Sequence, residues 1–297
     1  MSRLWRIYYN IVFGGLGGLV AYLFVGTLPD LIQNNLFWEV LIGTVAGMSI
    51  GAWLGMVEGA LGKQIGKFLV GMIRGGALGG FGGMVGLALG ELLFWLTQGG
   101  LLGRAIGWSV VGAVIGTTEG IANRAPRKVS YGVIGGTLGG LLGGGMFETL
   151  TQAAIAFAGA NLSLIAQMQS IAAALGLTFV GMCIGSLIAL VEQVLVGAWV
   201  KVLRGKQEGR DFNLVKEVMS IGGDDSDDIP LYDRALGKRV AVLRQRGKRI
   251  VLENANGRAG LLRPPAREAV PVTTEQPLSD GDKIVVGNTV LLFRQRK

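Results

Sequence analysis

Three carboxylates stand at the ends of three glycine stripes. "GMSIGAWLGMVEG" spaces Gly47, Gly51, Gly55 and Gly59 four apart around Glu58. "GAVIGTTEG" carries Gly112, Gly116 and Gly120 to Glu119, and "GMCIGSLIALVEQ" carries Gly181, Gly185 and Ala189 to Glu192. A carboxylate in apolar sequence is costly and is kept for a reason. One reading makes Glu58, Glu119 and Glu192 a polar site for a cation, a proton or a lipid head group. The other has each reach the membrane interface or cap a helix contact, which suits their position near the ends of their apolar stretches. Other chemistry is narrow. The chain has no histidine and one cysteine, Cys183. That removes Ser-His-Asp and Cys-His catalysis, Cys/His zinc sites and internal disulfides. No nucleophile–base pair is present either, so neither an enzyme, a cofactor nor a metal is expected.

The elements that carry these residues are apolar and rich in glycine. Of 51 glycines, 42 precede residue 206. "GGALGGFGGMVG" (Gly75 to Gly86) would make a poor helix in water, where each interior glycine costs about 0.8–1 kcal/mol against alanine. Within a bilayer, glycines four apart let two backbones approach closely. Six stretches, 8–27, 40–61, 69–97, 105–122, 130–152 and 171–200, are near or above the ~20 residues that cross a hydrocarbon core. "GGLGG" at Gly14, "GGALGG" at Gly75 and "GGTLGG" at Gly135 recur at offsets of 61 and 60. The spacing predicts three helical hairpins related by duplication, the third lengthened around 153–168. The packing positions are Gly51, Gly55, Gly79, Gly83, Gly112, Gly116, Gly139, Gly143, Gly181 and Gly185. Basic residues, among them Lys63, Lys67, Arg74, Arg124, Arg127 and Lys128, gather on one side of these spans, and Arg104 alone on the other. Both ends of this part are therefore expected in the cytoplasm of a bacterial plasma membrane. On the opposite side, Asp30, Glu91 and Glu148 fall near the outer ends of the odd spans.

After residue 206 the pattern changes to short β-type runs, such as "RVAVLRQ", "RIVLEN" and "KIVVGNTVLLFRQR", parted by "GGDDSDD", "QRGKR", "NANGR" and "SDGDK". "GRDFNLVKEVMSIGGDDSDDIPL", "VLENANG" and "LSDGDKIVVGNTVLLF", with Gly281, Asp282, Ile284 and Gly287, resemble the forkhead-associated (FHA) family over about 206–297. The resemblance implies an eleven-stranded β-sandwich that binds phosphothreonine peptides through the loops at one end. On that pattern the phosphate-binding arginine falls at Gly223 and the phosphate-contacting serine at Gly237. The next arginine becomes Lys238 and the structural histidine Val240. Asn256 and Gly257 match, and Lys238, Arg239 or Arg258 stand where a charge could compensate. "RQRGKR" groups Arg244, Arg246, Lys248 and Arg249 at a hairpin tip, as a solvated turn or a contact for anionic lipid.

The sequence thus predicts an α-helical polytopic membrane domain of six spans (1–205) and an all-β FHA-like sandwich (206–297). Its function is read as that of a non-enzymatic membrane adaptor. The partners would be membrane lipids, a cytoplasmic protein and, through the helices, a second copy of the chain. Nucleic acid is not expected, because no aromatic residues interleave the basic ones. A channel or transporter regulated by the sandwich is the alternative.

Overall fold

The computed structural model describes residues 3–27, 35–62, 64–97, 100–247, 249–263, 268–273 and 275–296. Asp30, Lys63, Lys248 and the side chain of Arg3 lie outside the described residues. The chain divides into two compact units, Leu4–Val194 and a second that begins at Leu195.

The first unit is six helices: α1 (Arg3–Thr27), α2 (Asn35–Gly62), α3 (Ile65–Thr97), α4 (Gly100–Ala122), α5 (Pro126–Ala158) and α6 (Leu162–Leu195). Five of them, all but α5, are long and apolar enough to cross a membrane. The expectation of six such spans therefore meets five among the described residues. In α5 the apolar residues are diluted by Thr137, Glu148, Thr149, Thr151 and Gln152 as well as by glycine. The extra residues around 153–168 lengthen α5 and α6 to 33 and 34 residues and meet in a turn at 159–161.

Glycine sets how closely these helices approach. A Cβ on Gly51 would stand 2.2 Å from the carbonyl oxygen of Gly75, and one on Gly55 2.2 Å from that of Gly71. Gly79 and Gly83 of α3 meet Gly47 and Gly43 of α2 in the same way. Between α4 and α5, Gly112 lies against Gly136 and Gly116 against Gly132. Between α6 and α1, Gly181 lies against Gly14 and Gly185 against the carbonyl oxygen of Asn10. The remaining seams are looser. Gly17 of α1 meets Ile50 of α2, Gly90 of α3 meets Gly103 of α4, and Gly139 and Gly143 of α5 meet Ile184 and Val180 of α6. Among the described residues these seams run from each helix to the next, and the α6–α1 seam closes the six into a ring in which α2 also touches α4. The tightest contacts join α2 to α3, α4 to α5 and α6 to α1, so they run between the hairpins expected from sequence rather than within them. The register also differs from the motif offsets. Gly14 and Gly18 hold the place that Gly79 and Gly83 hold in α3, one turn beyond Gly75.

Inside the ring the side chains are apolar. Ile50, Val111, Val180 and Ile184 are fully buried in one cluster with Leu54, Ile115, Leu177 and Trp108.

The second unit is a sandwich of eleven strands among the described residues. β1 (Ala198–Arg204), β2 (Asp211–Asn213), β7 (Ala259–Leu262), β8 (Val270–Pro271), β10 (Lys283–Val286) and β11 (Thr289–Gln295) form one sheet in the order β2-β1-β11-β10-β7-β8. β3 (Val218–Gly222), β4 (Ile229–Pro230), β5 (Ala241–Arg246), β6 (Arg249–Asn254) and β9 (Gln276–Pro277) form the other, ordered β4-β3-β5-β6-β9. Val200, Ile221, Leu252, Ile284, Leu291 and Phe293 fill the space between. β1 stands before residue 206, the boundary expected from sequence. "AWVKVLR" continues the apolar run of α6, so it reads as helix, yet it alternates buried and less buried residues and pairs antiparallel with β11 from Ala198↔Gln295 onward.

Candidate functional site

At one end of the helical unit the three carboxylates converge on two cations of the chain itself. Arg6, on the first turns of α1, donates from Nη1 to Oε1 of Glu192 at 3.0 Å and from Nη2 to Oε2 of Glu119 at 3.2 Å. Lys128, at the start of α5, lies 2.7 Å from Glu119 and 3.7 Å from Glu58. Asn123 donates from Nδ2 to Glu58 at 3.1 Å, and Asn10 holds the backbone below it by donating to the carbonyl of Arg6. Lys128 and Glu192 are buried, whereas the Glu58 side chain is 45% exposed. Charges withdrawn from water persist when paired and hydrogen-bonded. The network binds α1, α2, α4, α5 and α6 together. Arg104 and the buried Glu148 form a second pair across α4 and α5 at 3.9 Å, with Gln152 donating to Glu148.

Sequence spacing finds the three glutamates and misses Arg6, Lys128 and Asn123. Two signals point to them. Arg6 breaks the stripe of α1, since it stands four residues before Asn10, where α3 and α5 have Gly71 and Gly132 before Gly75 and Gly136. Lys128 stands 61 residues after Lys67, the interval of the glycine motifs.

In the second unit, three loops meet at one end of the sandwich. The Gly223 N–H donates to the carbonyl of Gly237 at 2.7 Å, which ties the β3–β4 loop to the β4–β5 loop. Arg258 donates from Nη1 to the carbonyl of Ala235 at 2.7 Å, which brings in the β6–β7 loop. Asn254 accepts from the Gly257 N–H and donates to the carbonyl of Val272 at 2.7 Å, so it fixes the turn that presents Asn256 and Gly257. Lys238, Arg239, Asn256, Gly257 and Arg258 are exposed. Gly237 adopts φ +76° with open space around it. Gly223 differs, because a Cβ there would stand 2.1 Å from the carbonyl oxygen of Asp233. The buried Asp227 accepts from the N–H groups of Asp224 and Arg239. The Ser226 N–H, with Lys238 adding, holds the Asp224 carboxyl below the usual carboxylate range.

Residues 201–297 match the family described as "Inner membrane component of T3SS, cytoplasmic domain". Solved FHA domains align over the same third of the chain. The FHA domain of the CT664 protein from Chlamydia trachomatis is 20% identical, covering 34% of this chain and 99% of that one, with a TM-score of 0.29. The FhaA FHA domain, solved with the intracellular domain of Rv3910, is 24% identical over 33% of this chain and 99% of its own, with a TM-score of 0.28. The FHA domain of human APLF, in complex with an XRCC1 bisphospho peptide, is 16% identical over 34% and 99%, with a TM-score of 0.29. No curated protein sequence matches the chain.

The C-terminal domain is FHA-like.

Two features of the FHA-like domain bear on its chemistry. Where the family pattern places its two principal phosphate contacts, Gly223 and Gly237 offer backbone groups alone, and the Gly223 N–H is already used. The hairpin tip is also less available than its composition suggests, since Arg244 binds Glu253 and Arg246 binds Glu275. Arg249 is exposed.

Proposed function

We propose that the chain is a non-enzymatic membrane adaptor whose helices hold the FHA-like domain at the cytoplasmic face of a plasma membrane, where it recruits a protein partner. The observation that carries this reading is the packed centre of the helical ring. Ile50, Val111 and Ile184, each 0% exposed, occupy the interior that a solute path would need. The helices then serve as anchor, and the exposed FHA-like loops remain for recognition. α5 is read as a sixth span. It is 33 residues long, about 50 Å at 1.5 Å per residue, and is pressed along its length against α4 by Gly132, Gly136 and Gly140. The recurring glycine contacts are read as three copies of one two-helix unit. Basic residues on one side support a cytoplasmic placement of both ends. The matched family, a membrane-held component of a secretion system, supports the same class of part, and a signalling setting follows from the FHA-like loops.

Full-length protein in proteoliposomes tests this. The expected result is ion flux at the lipid-only background, together with capture of a cytosolic protein that Arg239→Glu or Arg258→Glu abolishes. Flux above background that Ile50→Ala raises would replace the adaptor with a channel. Topology is read by a cysteine at position 126 in a Cys183→Ala chain, which should resist an impermeant thiol reagent outside intact cells.

A further inference from the structure

The outward face of α3 carries a cation that the helical unit does not neutralise. Arg74 lies within the apolar span Ile65–Leu93 and is exposed. It forms no ion pair or side-chain hydrogen bond among the described residues. Lys67 is exposed seven residues earlier. Seven residues are two turns, so both project from one side of the helix about 10 Å apart along its axis. The same stripe continues through Ala77, Phe81 and Met84 to Trp95, all exposed. From Arg74 to Trp95 it rises about 32 Å, the thickness of a hydrocarbon core, and from Arg74 to Met84 about 15 Å, that of one leaflet. A cation at the edge of hydrocarbon reaches into the headgroup layer, where anionic lipid attracts it. The other odd helices lack this arrangement. In α5 the residue 61 positions after Lys67 is Lys128, turned inward to Glu58 and Glu119, and the one 61 after Arg74 is Gly135.

We propose that Lys67 and Arg74 form the headgroup site of one anionic phospholipid, whose acyl chains lie along Ala77, Phe81 and Met84. Two cations within two turns select a headgroup of net negative charge over a zwitterionic one, because a choline ammonium would be brought against Lys67. The site rests on the reading of α3 as a membrane span.

Native mass spectrometry of the full chain in detergent, with phosphatidylglycerol or phosphatidylcholine added, tests it. Wild-type protein should retain phosphatidylglycerol in preference to phosphatidylcholine. Lys67→Gln and Arg74→Gln should each lower that retention about fivefold, as expected for removing one basic group from an anionic surface. Arg74→Lys, which keeps the charge, should retain most of it, and Arg124→Gln, an exposed cation elsewhere, should leave it unchanged. Equal retention of the two lipids, or unchanged phosphatidylglycerol retention in the Lys67→Gln/Arg74→Gln double variant, overturns the proposal. A dimer that Arg74→Gln dissolves also overturns it, by showing that a carboxylate of a second copy is the partner. Release of the chain by alkaline carbonate would instead remove the membrane reading, and the lipid site with it.

Discussion

The two halves of the molecule use glycine for different physical ends. In the helical ring, Gly51, Gly112 and Gly181 keep ordinary helical backbone, and what matters is the space their missing side chains leave. A Cβ at any of them would lie within about 2.2 Å of a carbonyl oxygen on the next helix. In the FHA-like domain, Gly237 and Gly257 have open space around them, and what matters is the angle, φ +76° and +77°. Charges differ in parallel. Glu192 is buried and held by Arg6, whereas Glu253 pairs with Arg244 at a partly exposed surface. The same residue types therefore fail in different ways. In the ring a substitution must move backbone, while in the sandwich it strains one turn.

The largest expected effect breaks this contrast if it is wrong. Gly51→Leu should destabilise the helical unit by more than the ~1–3 kcal/mol of ordinary overpacking, because the obstacle is backbone. Gly257→Ala should cost the FHA-like domain about 1–2 kcal/mol through its left-handed φ alone. Thermal melts of the full chain in detergent compare them, and similar losses would erase the distinction. Next, Arg6→Met should cost about 3–5 kcal/mol, since it removes the guanidinium that bonds both Glu119 and the buried Glu192. Arg6→Met with Glu192→Gln should recover much of that loss. A melt that Arg6→Met leaves unchanged would show the network to be idle.

Gly223 sharpens the comparison because it is a sandwich glycine that behaves like those of the ring. Gly223→Arg should destabilise the FHA-like domain, by more than the ~1–3 kcal/mol of ordinary overpacking because the obstacle is again backbone, rather than rebuild a phosphate contact. Titration with paired phosphorylated and unphosphorylated threonine peptides should then give an affinity ratio below about tenfold. One charge-assisted hydrogen bond, at about 1.5–3 kcal/mol, would exceed that. A larger ratio would mean that the Asp233 carbonyl yields. The smallest effect is at Glu253, whose carboxyl is held below its usual value by its hydrogen bond to Arg244. A depressed carboxylate stabilises the fold above its unfolded value of about 4.3 and loses that contribution as pH falls through the folded value. Arg244→Gln should therefore lower the melting temperature slightly at pH 7, and the difference should close once the pH falls below the folded value. A difference that persists there would assign the effect to packing of the arginine stem.

These contrasts also explain what the sequence made legible. Glycines four apart lie on one helix face whatever they touch, so Gly51, Gly55, Gly112 and Gly116 could be found from spacing. Which helix they touch could not, because a stripe names a face and no partner. The hairpin reading paired neighbours in sequence, and the junction of α6 with α1 needs the ring to be closed. The glutamates were visible as charges in apolar sequence. Arg6, placed before the first span, reads as one more basic residue on the cytoplasmic side, yet it turns inward to Glu119 and Glu192. β1 was hidden by the apolar run of α6, where alternation over Ala198–Arg204 is short beside thirty residues of helix. The FHA-like loops were legible as positions, but the wall beside Gly223 belongs to Asp233, which no local pattern connects to it.

The closing seam has a consequence for biosynthesis. Gly14 and Gly181 meet across about 170 residues of chain, so α1 leaves the ribosome long before its tightest neighbour exists. At about 5–20 residues per second, the first helix waits some 10–30 s in the bilayer before Gly14 and Gly18 find α6 and Arg6 finds Glu192. The seam between α6 and α1 is therefore the last to close. A chain halted before Gly181 would leave α1 packed against α2 alone, its tightest seam unmade, exposed to whatever quality control attends half-made membrane proteins.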